Sequence, residues 1–423
     1  MANDRLPGSL PAGRIVFLFA ALGPGMITAM ANHDATGVLG YSQAGARYGY
    51  SFLWVMALSA FCLAVAQELC ARMGAVTGRG LADLIREEYG VRITVLAMAA
   101  LLIANFATTV ANFAGILAAV TVFAPEWTRF VVLPVAGLVI WLLITRGSYR
   151  QVERALLYVS LVYISYVVSA ILVQPPWGEL ARQYVMPDFS RVVPVGDYVF
   201  MAINVIGTTI TPWGQFYVQS SIRDKGLRPA QYRLVRLDVY VGAFVMGIVG
   251  SAIIICCGAT LHAQGITNIE NAGQAASALA PIAGPLASAL FAIGLLNASF
   301  LGAVVLPLST AYAVTEALGW ESGVGRRVRE APLFVGLHTT LIVLSLVVVL
   351  LFPDRLTTLI ILPNIVGGML LPIILVLMIL LANKRRLMGS MVNSRFQNTV
   401  AWSLTGVLAV LSTILVTTTL SGR

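Results

Sequence analysis

Asp34 is the one carboxylate near the middle of an apolar run, and it stands beside a helix break in FAALGPGMITAMANHDATGVLGYSQAG. A charge at that depth of a bilayer is costly unless it faces a cavity or a cation, which points to cation coordination. The competing reading is a structural cap on the half-helix that begins near Thr36, because aspartate is a good helix cap; one carboxylate can do both. A second set of polar groups interrupts FMAINVIGTTITPWGQFYVQSS, where Thr208 and Thr211 offer oxygens and Gln215 an amide. Each of these three has two readings, ion site or repair of a broken helix. Asn364, in ILPNIVGG, lines a cavity or serves as interhelical glue. Ala35, Trp213 and Gly214 are expected to wall the cavity because of their place in the breaks.

Other polar residues have plainer readings. His33 adjoins Asp34, but helical neighbours point about 100° apart, so it is expected to pack or to face water. Asn105 and Asn297 are read as helix-packing residues, and Glu68 as the i,i+4 partner of Arg72. Glu153, Asp224, Asp238 and Glu316 read as loop or helix-end charges. Three scattered histidines, with no H-E-x-x-H, nucleophile elbow or P-loop, argue against an enzyme. Cys62, Cys70, Cys256 and Cys257 lie in or at the ends of apolar segments without a Cys-x-x-Cys pair, so buried reduced thiols are expected.

The elements that must position these groups follow from composition. Of the 423 residues 58% are hydrophobic and 11% charged, against roughly 25% charged in a soluble domain. The apolar residues come in runs of about twenty, the length of a membrane-crossing helix. Windows near 15–45, 51–72, 93–123, 130–145, 155–173, 197–221, 237–260, 284–318, 332–352, 356–382 and 398–419 give eleven spans. With the N-terminus inside, the inner loops hold most of the 27 basic residues, and only Arg47, Arg129, Arg182, Arg191, Arg355 and Arg423 fall outside. The positive-inside rule therefore places the N-terminus in the cytoplasm and the C-terminus outside a cell (inner or plasma) membrane. The net charge of +9 is spread between spans rather than pooled, so no nucleic-acid partner is expected, and no obligatory protein partner is inferred. The polar start MANDRLPGSLPAGR shows no convincing cleavage site, and nothing is expected to be removed.

Gly23-Pro24-Gly25 and Asp34-Ala35-Thr36-Gly37 interrupt the first span, and Thr211-Pro212-Trp213-Gly214 the sixth. Broken helices that come first in each of two five-helix halves mark an inverted-repeat transporter with a midplane site. A single transmembrane unit is expected, with a first repeat at about 15–173, a second at about 197–382 and an additional helix at about 398–419.

GPGMITAMANHDATG, the stretch QAGARYGYSFLWVM with ELCARMGAVTGRGLADLIREEYG, and TPWGQFYVQSS resemble the NRAMP family of divalent-metal transporters. The resemblance implies an all-α integral membrane protein of LeuT-type fold, five plus five inverted helices and an eleventh, with helices one and six broken. Asp34 matches the family's aspartate, whereas Ala35 replaces its proline and Gly37 its metal-binding asparagine. Thr208 stands where the family offers a backbone carbonyl, Thr211 replaces its methionine, and Asn364 matches a polar position of the metal site. Loss of the soft thioether favours Mg²⁺, Mn²⁺ or Ca²⁺ over softer transition metals, and Mg²⁺ keeps several waters around one or two carboxylates. The pattern resembles the prokaryotic NRAMP-related magnesium transporters. Thr109 and Asn112 stand at the places of acidic residues of the family's proton path, and Trp213 and Gln219 at those of its histidines; none titrates near neutral pH. The expectation is uptake of hydrated Mg²⁺, also Mn²⁺, by alternating access without obligatory proton coupling, and with no cofactor. The alternatives are proton-coupled Mn²⁺/Fe²⁺ transport, an organic-solute symporter of the same fold, and an ion channel.

Overall fold

The computed structural model describes residues 23–187, 195–352 and 356–420, and a few side chains within those ranges, Asn364 among them, lie outside the described set. The start of the first expected span, 15–22, lies outside it too. Regular structure among the described residues is helical throughout.

The first span is two pieces, α1 (Pro24–Ala31) and α2 (Ala35–Tyr48). Proline at the first helical position suits the start of α1, and Asp34, in extended conformation, caps α2. Next come α3 (Leu53–Thr77) and α4 (Leu81–Val120). Gly90, at φ 83°, splits α4 into a short surface helix and the membrane-length helix that the third window anticipated. The fourth and fifth spans are α5 (Arg129–Arg146) and the pair α6 (Tyr149–Leu161) and α7 (Ile164–Leu172); α8 (Trp177–Val185) occupies the following loop.

The sixth span is again two pieces, α9 (Val195–Thr209) and α10 (Pro212–Lys225). Then follow α11 (Tyr232–Thr260), a loop helix α12 (Ala272–Ala283), α13 (Pro285–Leu318), α14 (Pro332–Leu351), α15 (Leu356–Ala382), the short α16 (Arg385–Met388) and α17 (Arg395–Leu420). Seven helical stretches among the described residues are long and apolar enough to cross a membrane; the second of them, for example, runs Leu81–Val120. Large apolar side chains such as Leu96, Phe130, Phe244 and Val410 are exposed on these helices, as an apolar solvent requires.

The broken first span lies between α11, α10 and α13. Its contact with α11 is backbone on backbone. A Cβ on Gly25 would stand 2.8 Å from the Val239 nitrogen, and one on Gly242 would stand 2.9 Å from the Met26 Cα. Neither neighbour is a flexible side-chain tip. Gly25→Ala is expected to destabilise the protein by about 1–3 kcal/mol, as overpacking of a tight interior does. Thermal unfolding in detergent, followed by fluorescence, would show the loss, and an unchanged transition would mean the two backbones can part at little cost.

Candidate functional site

Both helix breaks lie in the buried centre of the bundle, and side chains on neighbouring helices tie them together. Asp34 is buried, with its Oδ1 accepting from Thr36 Oγ1 at 2.7 Å and from the Gly37 backbone nitrogen at 2.9 Å. These are cap bonds, so the structural reading of Asp34 holds within its own helix. Its second oxygen points across to α4, where Asn112 Nδ2 donates to Oδ2 at 3.3 Å. The Asn112 side-chain oxygen, Oδ1, in turn accepts from the Ala35 backbone nitrogen at 3.0 Å. That nitrogen is the one that would have closed the next turn on the Ala31 carbonyl, so Asn112 holds the break open from outside.

The sixth-span break follows from one residue. The carbonyl of Thr208 would receive the nitrogen four residues on, but residue 212 is proline, which has no N–H. The last intrahelical bond before the break is Ile210 to Ile206, at 2.9 Å. The Thr208 hydroxyl bonds back to its own helix, to the Asn204 and Val205 carbonyls. Thr211 reaches the other break, with its hydroxyl donating to Asn32 Oδ1 at 2.8 Å. Asn32 is buried and its Nδ2 has no protein partner, and the same holds for Gln215 Oε1. A buried amide without a protein partner calls for water or a ligand.

The sequence-expected residues are therefore distributed unevenly. Asp34, Gly37, Thr208, Thr211 and Gln215 lie at or beside the two breaks. Gly37 contributes its backbone nitrogen, and a Cβ there would stand 2.7 Å from the Asn32 carbonyl. Gly214 sits tight against Thr28 and Asn32, and the buried Trp213 accepts from Ser309 Oγ at 2.8 Å through its carbonyl. Asn364 lies on α15 with its side chain outside the described set. Of the replaced proton-path positions, Asn112 touches Asp34. Thr109 bonds its own helix at Asn105 O, and Gln219 Nε2, in the middle of α10, donates to the Arg79 carbonyl in the loop between α3 and α4.

A cavity of about 780 Å³ descends from the loop around Glu270 and α12, between α2, α4 and α13, to Ala35 and Thr36 beside Asp34. Ala35 lines it; Trp213 and Gly214 are not among its lining residues. At the opposite end the bundle is closed by charged pairs. Arg223 lies 2.9 Å from Glu316, Tyr312 donates to Asp224 at 2.5 Å, and Lys225 lies 2.7 Å from Glu153. Glu316 and Asp238 are buried rather than solvated helix-end charges. His33 is packed as expected, its Nε2 2.9 Å from the Met246 carbonyl.

Sequence reasoning missed Asn32, although an asparagine two residues before a mid-span aspartate was a usable signal. It named Asn112 for a lost proton path and could not foresee its bond to Asp34. Asn112→Ala is expected to raise the half-saturating ion concentration for uptake about tenfold, the scale of one hydrogen bond to a charged group. Uptake measured against ion concentration would reveal it, and an unshifted curve would make the contact idle.

The family profile described as Natural resistance-associated macrophage protein-like matches residues 25–418. The chain is 26% identical to the divalent metal cation transporter MntH of Klebsiella pneumoniae subsp. pneumoniae, over 100% of both chains. It is 27% identical to the protein of that name from Deinococcus radiodurans, covering 95% of this chain and 90% of the relative. Among solved structures, a manganese transporter of Eremococcus coleocola in complex with an aromatic bis-isothiourea compound superposes with TM-score 0.76 at 20% identity, covering 96% and 87% of the two chains. MhsT in complex with L-phenylalanine superposes with TM-score 0.63 at 14% identity, covering 93% and 97%. These likenesses establish the LeuT-type fold with its broken first and sixth helices, and with the match along nearly its whole length they make the chain an integral membrane protein that belongs to the Nramp family.

Proposed function

We propose that the protein carries divalent metal cations across a cell membrane by alternating access, with Mg²⁺ as principal cargo and Mn²⁺ as a second. The carrying observation is Asp34, the one carboxylate at the breaks among the described residues, set among neutral oxygen and amide groups of Asn32, Thr211, Gln215 and Asn112. A single carboxylate and a threonine hydroxyl in place of a thioether suit a hard, partly hydrated cation. The Thr208 carbonyl, freed by Pro212, and Asn364 complete the proposed ion-binding groups, with Gly37 holding Asp34 in place through its backbone N–H.

Transport proceeds without obligatory proton coupling. Asn112, in contact with Asp34, carries no proton between pH 5 and 8, and neither do Thr109, Trp213 or Gln219. A divalent ion moving inward gains about 4.6 kcal/mol per 100 mV, twice the value for one charge, so the membrane potential suffices as the driving force. The N-terminus is cytoplasmic and the C-terminus outside, which puts the cavity on the outer face.

The test uses the purified protein in liposomes loaded with Mg²⁺ and pH indicators under a negative-inside potential. Mg²⁺ entry without acidification is expected. Acidification tied to metal entry would overturn the uncoupled mechanism. Mn²⁺ entry without Mg²⁺ entry would overturn the choice of cargo; the manganese transporter among the structural neighbours makes that the arm to run alongside.

A further inference from the structure

We infer that Asp238, on α11, is the positioning residue that anchors the inner half of the broken first helix, and thereby sets how readily the site opens toward the end of the bundle that is closed here. The inference rests on the alternating-access reading above.

Four residues begin the described part of that half-helix: Gly23, Pro24, Gly25 and Met26. Proline has no N–H, and the first backbone bond of the helix is Ile27 to Gly23 at 2.9 Å. The donors left over are the nitrogens of Gly23, Gly25 and Met26, and all three go to Asp238. Gly23 and Met26 donate to Oδ1 at 2.9 and 3.0 Å, and Gly25 donates to Oδ2 at 2.7 Å. One buried carboxylate on a different helix thus satisfies every backbone donor of the first turn and sits at the positive end of its dipole.

Two further features fit an anchor. The close approach of α1 to α11 through Gly25 and Gly242 brings the Asp238 side chain within reach of main-chain nitrogens. The Lys225–Glu153 pair, joining α10 to α6, lies directly against Gly23, so a side chain on Gly23 would collide with both charged groups. The large cavity reaches Thr36 from the other end without being lined by α1. If α1 swings away to open the inner end, three charge-assisted bonds break together and a buried carboxylate must hydrate. That makes the anchor steep: it is held whole or lost whole.

A reporter cysteine at Thr28, which is fully buried on α1, reads opening independently of cargo. Reaction with a membrane-impermeant methanethiosulfonate would be timed in right-side-out and inside-out vesicles, against parent protein carrying its four native cysteines. In the Thr28→Cys background, Asp238→Ala is expected to speed modification from the inner side by about tenfold or more, the factor for losing a charged hydrogen-bond acceptor. Asp238→Asn, which keeps one acceptor oxygen, should fall between. Outer-side rates should not change. Inner-side rates equal to the unsubstituted protein, or equal acceleration from both sides, would overturn the anchor. If Asp238→Ala does not fold, Asp238→Asn decides alone, and an unchanged inner-side rate overturns the proposal. Accelerated labelling in a protein that passes no Mg²⁺ would keep the anchor and discard the cargo assignment.

Discussion

Asp34→Asn is expected to abolish ion uptake, or to weaken it by more than about a hundredfold, while the protein still folds. Loss of partners around a metal ligand alone costs about 10–100-fold in affinity, and loss of the only carboxylate at the breaks among the described residues is expected to cost more. Folding survives because the asparagine carbonyl still accepts from Thr36 Oγ1 and from the Gly37 nitrogen, the two cap bonds of α2, and asparagine caps helices as well as aspartate. Uptake in liposomes, alongside a thermal unfolding curve, separates the two roles. Flux at the level of the unsubstituted protein would remove Asp34 as the central ligand, and a collapsed unfolding transition would make the cap its chief role.

The second large effect is on stability. Glu68 and Arg72 form a buried pair at 3.1 Å on the last turns of α3. Glu68 also accepts from the Tyr232 hydroxyl at the start of α11, and Arg72 donates to the Met391 carbonyl at 2.9 Å and to Asn393. This cluster joins α3, α11 and the segment between α15 and α17. Glu68→Ala leaves a guanidinium nearly out of solvent with its carboxylate gone, and breaking one side of a buried pair costs about 3–5 kcal/mol. The lower end applies, because two acceptors remain to Arg72. Glu68→Gln, which can still accept from Tyr232, should lose less, and replacing the pair together by Glu68→Leu with Arg72→Met should recover part of the loss. The unfolding midpoints of the three variants decide; equal midpoints for the first and the last would show that the charge left behind is not the source of the cost.

Much of the fold was legible because it follows from patterns along one strand of chain. Apolar windows found α3, α5, α11, α13 and α14 to within a few residues, and the Asp34-Ala35-Thr36-Gly37 and Thr211-Pro212 interruptions located the two breaks. The third window began three residues past Gly90, whose positive φ divides the surface turn from the spanning helix. The site was legible where its signal was local: Asp34 beside a break, Pro212 freeing the Thr208 carbonyl. It was not legible where the partner lies on another helix. Asp238 reads in sequence as a charge near the start of a span, and nothing within α11 tells that three nitrogens of α1, more than two hundred residues away, converge on it. The Thr211–Asn32 bond is hidden for the same reason, since two side chains on separate breaks meet only once the bundle is packed. Glu316 looked like a helix-end charge, and its burial depends on Arg223 arriving from α10.

The one-sided cavity has an electrical consequence. On the orientation proposed above, a space of about 780 Å³ reaching Thr36 admits water, and water conducts the outer potential inward almost undiminished. The transmembrane voltage then falls chiefly across the packed layer between Asp34 and the Arg223–Glu316 end, rather than evenly over the whole bilayer. An ion arriving at Asp34 from the cavity side crosses little of the field, and one leaving toward the closed end crosses most of it. Voltage should therefore act weakly on capture and strongly on delivery, so that hyperpolarisation raises the maximal rate of uptake more than it changes the concentration at which uptake is half complete.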